Sequence, residues 1–129
     1  TVPRMKVVIA GSRDITDYDI LLKAIKECPF QITEVISGRA RGVDTLGEKY
    51  AEDYGLKLHL FPADWKKYRN AAGPIRNAQM ADFADAVLCV WDGVSSGTKD
   101  MMNQAKKRGL PLYVFKVDPD TPDLREFID

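Results

Sequence analysis

The sequence is poor in the residues that build covalent or metal-held scaffolds. Its 129 residues include two cysteines, Cys28 and Cys89, and a single histidine, His59. Both cysteines sit in apolar surroundings (KAIKEC and DAVLCVW) without metal-ligand spacing. That argues against a Cys/His zinc site, a disulfide framework or a His-dependent cysteine nucleophile. The thiols read instead as small buried hydrophobes in a reducing compartment. Charge of either sign is not in excess, because 19 Lys+Arg balance 19 Asp+Glu. A surface that holds nucleic acid by general positive charge is therefore disfavoured, although a local basic pocket is not. No apolar run approaches the roughly 18 residues of a membrane span, and no charged-then-apolar leader precedes the first strand pattern. The expectation is a cytoplasmic protein with no membrane contact. Neither G-x-G-x-x-G nor G-x-x-x-x-G-K-[ST] occurs, which disfavours an NAD dehydrogenase and a P-loop NTPase. No metal and no cofactor are implied.

What is present alternates between two periods. Short apolar runs at Lys6 to Ala10, Ile32 to Ile36, Leu56 to Phe61, Ala86 to Trp91 and Leu110 to Phe115 read as strands. Between them, Ile20, Leu21, Ala24, Ile25 and Cys28 recur at helical spacing after a start signal at Thr16 and Asp19. Thr45-x-x-Glu48 has the form of a capping box. Leu46, Tyr50, Ala51 and Tyr54 then line one helix face, and Gly55 stops the helix. Residues 62–74 read as a long irregular loop, a length that often carries function. Ile75 to Phe83 and Thr98 to Arg108 complete four helices. Five strands separated by four helices give an α/β domain with a mostly parallel five-stranded sheet in a three-layer sandwich, with strand five at an edge because of Pro111. The domain is expected over 1–116, followed by an acidic tail over 117–129 in which Leu124, Phe127 and Ile128 are candidate contacts between copies of the chain.

In an open parallel sheet, ligands bind beyond the carboxyl ends of the strands, where strand order reverses. The strand ends here are Gly11-Ser12-Arg13-Asp14, the run from Ser37 and Gly38 through Arg41 to Asp44, and Asp92 through Ser95, Ser96, Gly97 and Thr98. The long loop closes in Gly73-Pro74-Ile75-Arg76-Asn77. Glycine admits a ligand close to the backbone, hydroxyls and helix-start amides donate, and guanidinium forks grip phosphate or carboxylate. Each piece alone has a duller use: Gly-Ser as a tight turn, Asp44 or Thr45 as a cap, each arginine as a solvated surface residue. Four loops of this character meeting on one rim point to a phosphate-type ligand. Arg13, Arg39, Arg41 and Arg76 fall there with Lys66, Lys67 and Arg69, so a neutral chain is expected to carry a basic mouth.

Gly11-Ser12-Arg13-Asp14, Ser37-Gly38-x-Ala40-Arg41-Gly42-x-Asp44, Phe61-Pro62-Ala63-Asp64-Trp65, Ala72-Gly73-Pro74-Ile75-Arg76-Asn77 and Trp91-Asp92-Gly93-x-Ser95-x-Gly97-Thr98 follow one another in order. Together they resemble the YspA-like, cpYpsA-related branch of the SLOG superfamily, over roughly residues 5 to 116. The resemblance implies a Rossmann-like fold with strand order 3-2-1-4-5, and a nucleotide or nucleotide-derived ligand. Relatives in the superfamily include phosphoribohydrolases that cleave the N-glycosidic bond of nucleoside monophosphates. They also include a DNA-processing protein that binds single strands, and domains thought to sense nucleotide signals. Relatives commonly pair through helices, so a homo-oligomer is expected. In the hydrolases an arginine in a helix-start motif and a glutamate after a Gly-Thr carry the reaction. Arg76 and Gly97-Thr98 align with these, but the glutamate position is Met101.

Hydrolysis of a ribosyl bond needs a carboxylate to orient water or stabilise an oxocarbenium-like transition state. Methionine does neither, and Asp100 is rotated by about 100 degrees on a helix. Asp14, Asp44 and Asp92 lie on neighbouring loops. The leading expectation is thus a nucleotide-binding or sensing module. It uses Gly11, Ser12, Arg13, Gly38, Arg41, Asp44, Arg76, Asn77, Asp92, Ser96, Gly97 and Thr98, with Trp65 as the stacking candidate. Tyr68 and Trp91 are further aromatic candidates, Trp91 reading better as core. About four charge-assisted contacts of roughly 1.5–3 kcal/mol each suffice for micromolar affinity. The alternative is an N-glycosidic-bond hydrolase with Arg76, Asp100 or Asp44 in catalysis. A third reading is single-stranded nucleic acid binding through Lys66, Lys67 and Arg69 beside Trp65 and Tyr68.

Overall fold

Short β-branched runs become strands here because helices cover them on both faces, and a run buried on both sides loses its polar alternation. The computed structural model describes residues 4–117. Five strands, β1 (Lys6–Gly11), β2 (Glu34–Ser37), β3 (Lys57–Leu60), β4 (Ala86–Trp91) and β5 (Leu112–Lys116), pair in the order β3-β2-β1-β4-β5. Every neighbouring pair is parallel. The expected order is found, and the sheet is wholly parallel. β1 and β4 are apolar almost throughout, and β5 lies at an edge with the Pro111 carbonyl accepting from the Val87 amide at 2.9 Å.

On one face, α1 (Tyr18–Glu27) and α2 (Val43–Asp53) bring Leu21, Ala24, Val43, Leu46 and Ala51 onto Val7, Ile9, Val35 and Leu88. On the other, α4 (Ala72–Phe83) and α5 (Ser96–Lys107) bring Met80, Ala81, Met101, Met102 and Ala105 onto Val8, Ile36, Val87 and Cys89. These three layers make a Rossmann-like α/β sandwich. Both cysteines are free and buried, and burial pushes the Cys89 thiol up to about 12. Among the described residues no helix is long and apolar enough to cross a membrane. Leu124, Phe127 and Ile128, with most of the acidic tail, lie outside the described residues.

Three local readings of the sequence change. Residues 62–74 are not a continuous irregular loop. Asp64 caps a single turn, α3 (Trp65–Tyr68), by accepting from the Lys67 amide at 3.1 Å, and a 3-10 turn over Arg69–Ala71 leads into α4. Pro74 sits inside the first turn of α4, where the missing N–H has no helical acceptor to lose. The Thr45–Glu48 pair does not cap α2. That helix starts at Val43 behind Gly42 (φ 78°), while the Thr45 hydroxyl donates to the Ala40 carbonyl at 3.1 Å. Glu48 instead accepts from the Ser37 hydroxyl at 2.7 Å and from Arg39 at 2.8 Å. On the outer side of α2, Tyr54 is exposed and stacks on Tyr50 at 4.4 Å, so it does not share the buried face of Leu46 and Ala51.

Candidate functional site

The loops after β1 and β4 lie side by side because sheet order reverses between these strands. Their close approach depends on glycine. A Cβ on Gly11 would meet the Val90 carbonyl at 2.2 Å and the Val43 side chain at 2.6 Å, and one on Gly42 would meet the Ser12 carbonyl at 2.4 Å. Ser12 locks the junction: its hydroxyl accepts from the Asp92 amide at 3.0 Å, its amide donates to Val90, and its carbonyl accepts from Ile15 and Val43. Ser12 is buried, with its hydroxyl on the Asp92 amide, and does not line the cleft, so it shapes the two loops without forming their opening.

Between α4, α5 and the loops after β1 and β2 lies an open cleft of about 700 Å³. Gly11, Arg13, Arg41, Asp44, Arg76 and Asn77 line it, and across from them stand Asp92, Ser96, Gly97 and Thr98. Gly38 lines an adjoining lobe of about 570 Å³, and Trp65, half-exposed at 51%, lines both. Every site residue expected from the sequence except Ser12 therefore faces one connected space. Trp91 does not: it packs on the core, and its indole donates to the Ser95 carbonyl at 3.0 Å. Lys66, Lys67, Tyr68 and Arg69 also stay out of the lining, with Lys67 lying over the Tyr68 ring at 5.0 Å. Arg39, Pro62 and Ala63 line the adjoining lobe. The sequence placed Arg39 on the rim, but nothing in it marked the Pro62-Ala63 pair as a wall.

On the α5 side, Asp92 accepts from the Val94 and Ser95 amides at 2.8 Å each, which holds its carboxyl below the usual range. That turn delivers the chain into α5, and no side chain caps the helix. The first-turn amides of Ser96, Gly97 and Thr98 have no helical acceptor, and they sit at the positive end of the helix dipole. A Cβ on Gly97 would meet nothing within 4 Å, so the approach to them is open.

On the opposite wall, Arg76 is aimed by two acceptors. Its Nε donates to Asn77 Oδ1 at 3.0 Å and its Nη1 donates to the Gly38 carbonyl. Asn77 passes the constraint on, donating to the Gly97 carbonyl at 3.2 Å and to Asp100 at 2.9 Å. α4 thus fixes the start of α5. Met101, at the position aligned with the hydrolase glutamate, is 1% exposed and packed in the core beneath the cleft. Burial pushes the Asp44 carboxyl up to about 6, against the pull of the Ala40 amide and the Arg76 charge. Burial also lowers Arg76, opposed by Asp44 and assisted by nearby Arg13. Arg13 and Arg41 are exposed and have no carboxylate within ion-pair distance among the described residues. No group of three or more His, Cys, Asp or Glu among the described residues is placed to hold a metal ion.

A wholly parallel sheet of this order, with an arginine-lined cleft at its reversal point, defines a Rossmann-like α/β domain. The chain belongs to the YspA, cpYpsA-related SLOG family, whose family model matches residues 5–68. It is 32% identical over 124 residues to the Gene 61 protein of Mycobacterium phage D29, covering 88% of this chain and 98% of the phage protein. It is 40% identical over 45 residues to the uncharacterized SPbeta prophage-derived protein YoqJ of Bacillus subtilis, which takes in 35% of this chain and 26% of that protein. It is also 31% identical over 106 residues to translation initiation factor IF-2 of Trichlorobacter lovleyi, covering 81% of this chain but only 10% of the factor. No solved structure matches the chain.

Proposed function

We propose that this protein binds a nucleotide or nucleotide-derived ligand in the cleft at the carboxyl rim, as a sensor or binding module. One observation carries the reading. The uncapped, unobstructed first turn of α5 faces Arg13, Arg41 and Arg76 across one cleft, and Arg13 and Arg41 have no carboxylate partner among the described residues. A phosphate supplies the charge that the arginines lack and accepts from the free amides. Trp65, half-exposed on the wall, offers a face for a base. Membership of the SLOG family supports a nucleotide-related role.

The test is a thermal-shift screen against nucleoside mono-, di- and triphosphates and nucleotide-derived compounds, followed by calorimetry. A ligand at about 100 times its Kd raises stability by about 2.7 kcal/mol, a shift of several degrees for a domain of this size. Arg41→Glu should weaken the hit by roughly 100-fold while leaving the unliganded melting temperature within a degree or two, because Arg41 is exposed and makes no ion pair among the described residues. Failure of every nucleotide to stabilise the wild type overturns the reading.

A hydrolase reading has one specific observation in its favour: a cleft-lining carboxyl, Asp44, titrates near 6, in the range of a general acid or base. Against it, a methionine, Met101, which can neither orient water nor stabilise positive charge, occupies the hydrolase glutamate position at the buried floor of the cleft, and Asp100 is already engaged by Asn77. Release of free base and ribose 5-phosphate from nucleoside monophosphates, abolished by Asp44→Asn, would establish it. No product at high protein concentration removes it. Single-strand binding has less support, since Lys66, Lys67 and Arg69 lie off the cleft.

A further inference from the structure

The two lobes of the cleft differ in charge. The lobe against α5 mixes arginines with the carboxylates of Asp14, Asp44, Asp92 and Asp100. The adjoining lobe, about 570 Å³ and extending toward β3, has four arginines in its wall, Arg13, Arg39, Arg41 and Arg76, and no acidic residue. Pro62 and Ala63, just after β3, close its far side without a charge. Arg13, Arg41, Trp65 and Arg76 belong to both walls, so the lobes open into one another past the indole.

Arg39 is held in this lobe by an unusual backbone. Its φ is 64°, a conformation costly for a branched-Cβ or bulky residue and natural for glycine. The amide donates to the Ser37 hydroxyl at 3.1 Å, and Nη1 donates to Glu48 at 2.8 Å, the rest of the guanidinium fork having no hydrogen-bond partner among the described residues. Glycine at this position would relieve the backbone at no steric cost. An arginine held there supplies a charge-bearing fork to the lobe.

We infer that the lobe lined by Arg13, Arg39, Arg41 and Arg76 is a second anion subsite, and that the ligand carries two phosphate groups separated by a nucleoside. This inference rests on the proposed nucleotide site and extends it. One phosphate lies at the first turn of α5. The nucleoside passes Trp65, and the second phosphate sits beside Arg39, the arginine that belongs to the carboxylate-free lobe alone, with Arg13, Arg41 and Arg76, which line both lobes, between the two phosphates. A 5′-phosphorylated dinucleotide has this chemistry, either as a free molecule or as the end of a single strand.

Calorimetry with each 5′-nucleoside monophosphate and the matching 5′-phosphorylated dinucleotide tests it. The wild type should bind a dinucleotide at least tenfold more tightly than its monophosphate, the gain of one charge-assisted contact. Arg39→Gly, which suits φ 64° but gives up the exposed Glu48 contact, should melt within a few degrees of the wild type and should shrink that ratio several-fold. Ala63→Glu, which puts a carboxylate into the lobe, should abolish it. If monophosphates bind and dinucleotides bind no better, or if Arg39→Gly leaves the ratio intact, the second subsite is wrong and the first stands. If neither class binds, both fall. A 5′-phosphorylated decanucleotide separates the two sources: a free dinucleotide binds more tightly than the longer chain, and a strand end no more tightly.

Discussion

At the amino end of the sheet, Glu34 on β2 accepts from Arg4 and lies 2.7 Å from His59 Nε2 on β3, while Asp85 accepts from the Lys6 amide at 2.8 Å. At the carboxyl end, Arg13 and Arg41 face a cleft with no carboxylate in ion-pair distance among the described residues, and Asp44 is buried without a salt bridge. Charges flank both ends of the same sheet; at the amino end they are paired within the chain, whereas at the carboxyl end Arg39 pairs with Glu48 at 2.8 Å but Arg13 and Arg41 have no ion-pair partner among the described residues. A charge with its partner in the chain contributes to the fold, and a charge without one is available to a ligand. The Lys6 ammonium makes the same point from the paired side: it lies 3.7 Å from the centre of the Phe83 ring and so is partly used within the structure.

The largest effect on stability at the open end should come from Asp44→Asn. The carboxyl titrates near 6 in the folded protein against an ordinary value of 3.8, so the folded state holds the proton more tightly than the unfolded chain does. Stability of the wild type therefore falls as pH rises from about 4 to 6 and stays at the lower level above that. Asparagine keeps an oxygen for the Ala40 amide, whose present contact is 3.2 Å, and removes the charge. The variant should gain roughly 1–3 kcal/mol over the wild type at pH 8 relative to the difference at pH 4. Urea unfolding of both proteins at the two pH values measures it. A difference that does not change with pH would mean that Asp44 is not a desolvated carboxylate and that the two ends of the sheet differ less than their geometry indicates.

Glu34 should behave in the opposite sense. Hydrogen bonds from Arg4 and His59 hold its carboxyl at about 2, well below the ordinary value of 4.5. The stabilisation is complete above about 4.5 and is lost as pH falls toward 2. Glu34→Gln should flatten the acid limb of the unfolding profile between those values and leave the limb from 4 to 6 unchanged. Melting curves at pH 2.5, 4, 5 and 7 for both proteins would show it, and an acid limb as steep as that of the wild type would place the acid-sensitive group elsewhere.

Strand identity and most of the cleft wall were legible in the sequence because each rests on a local signal, whereas the sheet order was implied by the family resemblance alone. Apolar runs such as AVLCVW can be satisfied only with both faces covered, and Gly-Ser-Arg or Gly-Thr at a strand end is visible in three letters. What was not legible depends on partners far apart in the chain. Ser12 looks like a ligand donor until the Asp92 amide, 80 residues away, is found on its hydroxyl. Glu48 looks like the closing member of a capping box until Ser37 and Arg39 claim its carboxylate. The second lobe exists because Pro62 and Ala63 after β3 meet Gly38 and Arg39 after β2, and that meeting is set by the register of Ser37 against Leu60. The start of α4 was displaced for another reason: Pro74 read as the point where the helix begins, yet α4 starts at Ala72 and both Gly73 and Pro74 fall in its first turn, where neither residue disturbs a helical hydrogen bond.

The smallest effect should come from the border of the cleft, where the backbone itself is strained. Arg69, where α3 ends and the 3-10 turn begins, has φ 51° and ψ −126°, a region in which glycine is normal and a side chain is not. Its amide donates to the Trp65 carbonyl, which closes the turn that presents the indole, and its side chain makes no ion pair among the described residues. Arg69→Gly should relieve the strain and lose only the entropy that glycine pays in ordering, a net stabilisation of up to about 1 kcal/mol. Because Arg69 does not line the cleft, nucleotide affinity should stay within about twofold, less than 0.5 kcal/mol. The same change at Arg39, also left-handed, should cost affinity for the two-phosphate ligand. Equal losses at both positions would mean that the arginines act through general surface charge and not through the lobe that Arg39 lines.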